Sequence, residues 1–103
     1  MFARTVTIRL KPNSIAEFAH TIETEALPLL RRQRGFQDQI TFVAPGGVEA
    51  VGISLWDQKE DADAYGRGTY LRMLKALRKV VEGTPTVRTY AVSNSTFHKI
   101  AAG

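Results

Sequence analysis

The chain of 103 residues contains no cysteine. Disulfides, thiolate nucleophiles, CxxC redox pairs and sulfur-ligated zinc or iron–sulfur centres are therefore excluded, and a reducing, cytoplasmic location is expected. Long hydrophobic runs are missing too. Nothing approaches the roughly 20 apolar residues of a membrane span, and Met1 to Leu10 alternates in polarity instead of forming the apolar stretch of a secretory signal. No membrane partner is expected. Histidine is scarce: His20 and His98 stand far apart, with no H-x-H, H-E-x-x-H or carboxylate cluster beside them, so no metal site is expected. Ser54, Ser93 and Ser95 fall in strand or tail contexts without a G-x-S-x-G turn, which removes the usual setting of a nucleophilic serine. The lone G-x-G at Gly66-Arg67-Gly68 has Leu71 where a dinucleotide fingerprint needs its third glycine. It also follows a helix instead of a strand, so it reads as a helix break.

What remains is an ordinary globular composition, 44% hydrophobic and 23% charged, in a length suited to one domain spanning 1–103. The net charge is +4. Its excess lies late in the chain, where Arg67, Arg72, Lys75, Arg78, Lys79, Arg88 and Lys99 are opposed after Tyr65 only by Glu82.

Strand alternation opens the sequence, with Phe2, Arg4, Val6, Ile8 and Leu10 pointing one way and Ala3, Thr5, Thr7 and Arg9 the other. Pro12 ends this ladder, and Ser14-Ile15-Ala16-Glu17 has the form of a capping box. A first helix follows, with an apolar stripe of Ile15, Phe18, Ala19, Ile22, Ala26, Leu29 and Leu30 and with His20 on the opposite side. Pro28 predicts a kink near Thr24, and Gly35 is placed to terminate the helix after Arg31, Arg32 and Arg34. The alternating runs Phe36 to Val43 and Val48 to Trp56, joined through Ala44-Pro45-Gly46-Gly47, form a hairpin. Asp57 with Glu60 is expected to cap a second helix, interrupted near Gly66 to Gly68 and continuing through Val80 and Val81. Gly83 and Pro85 stop it, and Thr86 to Val92 makes a last strand before a polar tail, Ser93 to Gly103.

The order β-α-β-β-α-β is that of the ferredoxin-like α+β fold, a four-stranded antiparallel sheet with two helices on one face. The other face then needs a cover. If Val51, Ile53 and Leu55 join Val6 and Ile8 against the helices, the outer face presents Ala3, Thr5, Thr7, Ala50, Gly52, Ser54 and Trp56. Those small side chains leave room for a partner sheet, closing a two-chain barrel, or for a ligand cavity.

Two surfaces are candidates for function. The basic side of the second helix, with Arg67, Arg72, Lys75, Arg78 and Lys79, has the charge of a nucleic-acid footprint, but no RNP-like aromatic pair accompanies it to stack bases. A solvated helix face is the better reading. The other candidate is aromatic: Trp56 at the end of the third strand, with Tyr65 and Tyr70 following. An indole and two phenols around a space lined by small residues can stack a planar ligand and hydrogen-bond its oxygens, although the same rings also serve as core or interface packing.

The run Ser54-Leu55-Trp56-Asp57-Gln58-Lys59-Glu60-Asp61-Ala62-Asp63-Ala64-Tyr65, with Leu29-Leu30-Arg31-Arg32-Gln33-Arg34-Gly35-Phe36 before it, resembles the antibiotic biosynthesis monooxygenase superfamily of dimeric α+β barrels. The resemblance extends in element order and length over nearly the whole chain. It implies a homodimer and a cofactor-independent monooxygenase acting on a small aromatic, quinol or polyketide-like substrate, with no metal or flavin. Trp56 and Tyr70 would then be catalytic, with Trp56 stacking on the substrate ring and Tyr70 or Tyr65 donating to its oxygen; Arg67 would favour the substrate anion, and Gly52 would border the site. Several oxygenase members have an asparagine where this chain has Gly52, and many have a histidine where it has Tyr70. Haem-degrading members need an iron-ligating histidine on the second helix, and none occurs between Asp57 and Glu82. The alternative is a non-catalytic homodimer of the same fold that binds a small ligand.

Overall fold

The computed structural model describes residues 1–97, so His98, Lys99 and the end of the polar tail lie outside the described residues. Its elements are β1 (Phe2–Leu10), α1 (Ile15–Thr21), a π-helical turn (Ile22–Ala26), α2 (Leu27–Arg31), β2 (Phe36–Val43), β3 (Glu49–Trp56), α3 (Lys59–Arg67), α4 (Thr69–Leu77) and β4 (Val81–Ala91). The strands form one antiparallel sheet in the order β2-β3-β1-β4. This is the ferredoxin-like α+β architecture, with each helical crossover in two pieces.

Local chemistry explains both breaks. Pro28 has no N–H and its ring presses on the carbonyl four residues back, so the chain widens into the π-helical turn just upstream, where the Leu27 N–H reaches back to Ile22. The second crossover breaks at Gly68, whose φ of −122° and ψ of −94° lie outside the helical region. Neither expected cap forms. Ser14 sits at φ −107° and ψ 2°, away from the extended geometry an N-cap needs, and its hydroxyl turns to the Pro12 carbonyl at 3.4 Å. Asp57 instead accepts a 2.6 Å hydrogen bond from the Gln37 amide, and Gln58 takes the N-cap position.

The last strand begins earlier than the periodicity predicts. α4 stops at Leu77, and Val81 and Glu82 already pair with Leu10 and Arg9. The register then slips between Thr7 and Arg9, leaving Gly83, Thr84 and Pro85 bulged opposite Ile8. Gly83 supplies the left-handed backbone (φ 70°) there, and Pro85 lies where its missing donor is not needed on an edge strand.

Cross-strand register also corrects the face assignment of β3. Val6 pairs with Gly52, Ile8 with Ala50 and Phe2 with Trp56, so Ala50, Gly52, Ser54 and Trp56 face the helices and Val51, Ile53 and Leu55 face away. The cause is size: the helices pack close over the small residues, and Trp56 fills the end of the layer. Trp56 joins Ala26, Leu30, Ala62, Tyr65 and Met73 in one buried cluster, while Ile8, Leu10, Phe18, Ala50, Leu77 and Val80 form another. The outer face therefore carries Ile40, Phe42, Val51, Ile53 and Leu55, with Ala3, Thr5 and Thr7 beside them. Among the described residues no helix is long and apolar enough to cross a membrane.

Candidate functional site

A cavity of about 70 Å³ lies between the sheet and the helical layer, inside a single chain. The expected hollow on the outer face is thus displaced to the inner one. Its floor comes from β1, β2 and β3 through Arg4, Val6, Ile8, Gln39, Thr41, Gly52 and Ser54; its roof includes Ile22 and Ala26 of the π-helical turn, Tyr65 of α3, and Tyr70 and Met73 of α4. Among the described residues no carboxylate and no histidine is on this lining.

Arg4 is the one charged side chain there among the described residues, and it is 6% exposed. Strand alternation puts it on the apolar side of β1, between Phe2 and Val6. Its guanidinium carbon lies 4.0 Å from the centre of the Tyr70 ring and 5.2 Å from that of Tyr65. Gly66 leaves space beside it, since a Cβ at that position would lie 3.4 Å from Nε. Among the described residues no carboxylate pairs with Arg4. Cation–π contacts return about 2 kcal/mol or less each, short of the several kcal/mol needed to take an ion out of water. The tyrosines do not supply a counter-charge. Burial pushes both phenols above their ordinary range, outweighing the opposing pull of Arg4, so at neutral pH they are uncharged hydrogen-bonding groups.

The predicted site residues divide around this ion. Tyr65, Tyr70 and Gly52 line the cavity. Trp56 does not: it is fully buried behind Tyr65, with ring centres 5.0 Å apart, and touches Phe36 edge-on at 5.5 Å. Its Nε1 donates to the Ser54 hydroxyl at 2.8 Å, and that hydroxyl donates to the Arg4 carbonyl at 3.3 Å. Trp56 thus braces the strand that carries Arg4 and does not reach the cavity. Arg67 is exposed at the end of α3 and is not on the lining; the cation of the site is Arg4. Arg72, Lys75, Arg78 and Lys79 are exposed as well.

Gly52 has a specific consequence. A Cβ there would lie 3.0 Å from Nε2 of Gln39, whose amide crosses over the glycine and donates to the Thr41 hydroxyl at 3.2 Å. Arg4 and Gln39 are the site residues that the sequence reading passed over. The signal for Arg4 was present, as the lone charged member of an otherwise apolar strand face.

No family model and no curated protein matches the chain. Solved structures do share its fold. A Bordetella bronchiseptica protein provisionally named an antibiotic biosynthesis monooxygenase superposes with a TM-score of 0.75 at 16% identity, over 88% of this chain and 95% of that one. A Nitrosomonas europaea protein of unknown function gives 0.77 at 19% identity, over 99% and 95%. A Deinococcus radiodurans protein with the same provisional name gives 0.74 at 11%, over 92% and 95%. The chain has the fold of the antibiotic biosynthesis monooxygenases.

Proposed function

We propose that the protein is a homodimeric, cofactor-independent monooxygenase whose substrate, a small electron-rich aromatic or quinol-type compound, binds in the cavity over Arg4. The observation that carries this reading is the buried guanidinium without a carboxylate partner on an apolar wall. Direct oxygenation of an organic substrate needs its anion, because a phenolate or enolate gives up an electron to O₂ far more readily than the neutral compound. A fixed positive charge in a water-poor site stabilises that anion. For a ring methylene, a proton passes to solvent water as the substrate binds, leaving the enolate beside Arg4; electron transfer to O₂ and recombination form a C–O bond, and the peroxide takes a proton back from solvent. Cleavage of the O–O bond then leaves a carbonyl and one water, so that CH₂ and O₂ become C=O and H₂O. Tyr70 and Tyr65, both protonated, donate to substrate oxygen, and the apolar roof excludes bulk water.

A cavity of about 70 Å³ holds several waters but lies well below the roughly 300 Å³ of a drug-sized site. It is also below the roughly 150 Å³ of a cavity that admits benzene, so roof side chains must shift for one ring to enter and a fused polycycle is disfavoured. The homodimer is supported by the outer sheet face, where Phe42 is 52% exposed beside Ile40, Val51, Ile53 and Leu55, an apolar surface that a second copy would cover.

The test is oxygen consumption by metal-free protein with a panel of reduced single-ring quinols and cyclic 1,3-diones. Uptake that depends on protein and falls roughly 100-fold or more in Arg4→Met supports the reading; no uptake across the panel removes it. The second reading, a non-catalytic homodimer that binds a small ligand in the same cavity, is favoured by the absence of a general base on the lining. Saturable binding without oxygen uptake would establish it.

A further inference from the structure

We infer that Arg4 is the counter-cation for an organic anion whose charge is shared over two oxygens, a carboxylate or the enolate of a 1,3-dicarbonyl compound, carried on a single flat ring. This rests on the cavity being the ligand site, and it does not depend on the oxygen chemistry.

Four observations converge on that class. The guanidinium is buried on the cavity wall and its nearest partners are two neutral rings, so the favourable occupant is one that brings a negative charge. Among the described residues the lining contains no carboxylate or histidine to remove a proton, which favours a ligand acidic enough to arrive ionised. The planar fork of an arginine matches a head with two oxygens in one plane better than a compact, highly hydrated anion. Finally, Tyr65 and Tyr70, with ring centres 6.0 Å apart, flank the cation with aromatic surface, and a volume of about 70 Å³ admits no more than one ring, and that only as roof side chains shift.

The neutral polar groups nearby are already committed. The Ser54 hydroxyl takes the indole N–H and gives its proton to the Arg4 carbonyl, and the Thr41 hydroxyl accepts from Gln39. Neither supplies a charge.

The experiment is a calorimetric and thermal-shift titration of the wild-type protein under nitrogen with four probes: benzoate, ionised 1,3-cyclohexanedione, neutral benzamide and inorganic phosphate. Benzoate or the dionate is expected to bind roughly tenfold or more tighter than benzamide, the factor a charge-assisted hydrogen bond supplies, and to raise the melting temperature in proportion. Comparing benzoate with the dionate separates the two head groups. Arg4→Met is expected to lose this discrimination while melting no lower than wild type without ligand, since exchanging an unpaired buried ion for an apolar side chain is neutral or stabilising. Equal binding of benzamide and benzoate, phosphate binding as tightly as either organic anion, or no saturable binding of benzoate or the dionate overturns the inference in the wild-type protein, whether or not the variant folds. Retained preference in a folded Arg4→Met does so too. Binding without oxygen uptake would leave the anion site standing and remove the oxygenase reading; uptake of oxygen with neutral substrates only would do the reverse.

Discussion

A guanidinium on the apolar side of a strand must find a counter-charge or be tolerated at a cost, and Arg4 is held by neutral rings instead of an anion. The row of side chains behind it holds those rings in place. Phe36, Trp56, Tyr65 and Tyr70 stack in sequence from the sheet end toward the cavity, and the Trp56–Ser54 hydrogen bond ties the row to the Arg4 backbone. The same burial that keeps the phenols neutral makes them sensitive to alkali. Their ionisation is raised in the folded state, so the stability gained from keeping them neutral is complete below the unfolded value near pH 10 and is lost as pH rises above it. Denaturant unfolding between pH 9 and 11.5 should show the wild type losing about 1.4 kcal/mol more per pH unit above pH 10 than Tyr65→Phe. Parallel curves for the two proteins would show that Tyr65 ionises as easily in the fold as outside it.

Among the elements, β3 and β4 show where pattern and packing part company. Val48 to Trp56 has apolar residues at both parities, so alternation identifies a strand without saying which side the helices cover. Small residues at 50, 52 and 54 settle it, because a helical layer approaches them closely and the cavity opens where Gly52 has no side chain. In β4 the periodicity of a helix ran on to Val81, but the bulge at 83–85 lets the chain turn and pair from Val81, five residues before the expected start at Thr86. Gly83 is the residue this depends on. Its positive φ is strained for any L side chain, yet nothing stands within 4 Å of its missing Cβ, so Gly83→Ala should cost only the backbone penalty, about 1–2 kcal/mol. Gly46 also has open space but lacks the positive φ, and Gly46→Ala should be neutral or slightly stabilising. Urea midpoints at unchanged slope make the comparison; equal midpoints for the two variants would place the bulge's stability elsewhere.

For the molecule as an assembly, the two faces of the sheet divide the labour. The inner face carries the helices and the cavity, and the outer face carries a band of branched and aromatic side chains with Ile53 near its middle, paired across to Ile40 and Thr5. A second copy on that band would bury it without touching the cavity lining. Sedimentation of the wild type at micromolar concentration is expected to give a dimer, and Ile53→Asp a monomer, because an unpaired carboxylate in such an interface costs several kcal/mol. A wild type that sediments as a monomer would leave the outer face uncovered and remove the barrel.

The amino-acid order by itself determined the element sequence, the single α+β domain, the break at Gly66–Gly68 and the aromatic set from which the site is drawn. All of these follow from short-range periodicity, proline and glycine. It also displayed Arg4 among apolar neighbours, a sign that the strand face holding it is more than core. Which face of β3 turns inward, the retreat of Trp56 behind Tyr65, the exposure of Arg67 and the passage of the Gln39 amide over Gly52 came from the packed chain. Each depends on how residues distant in sequence divide a common volume, and period-2 alternation carries no information about the neighbour across the gap.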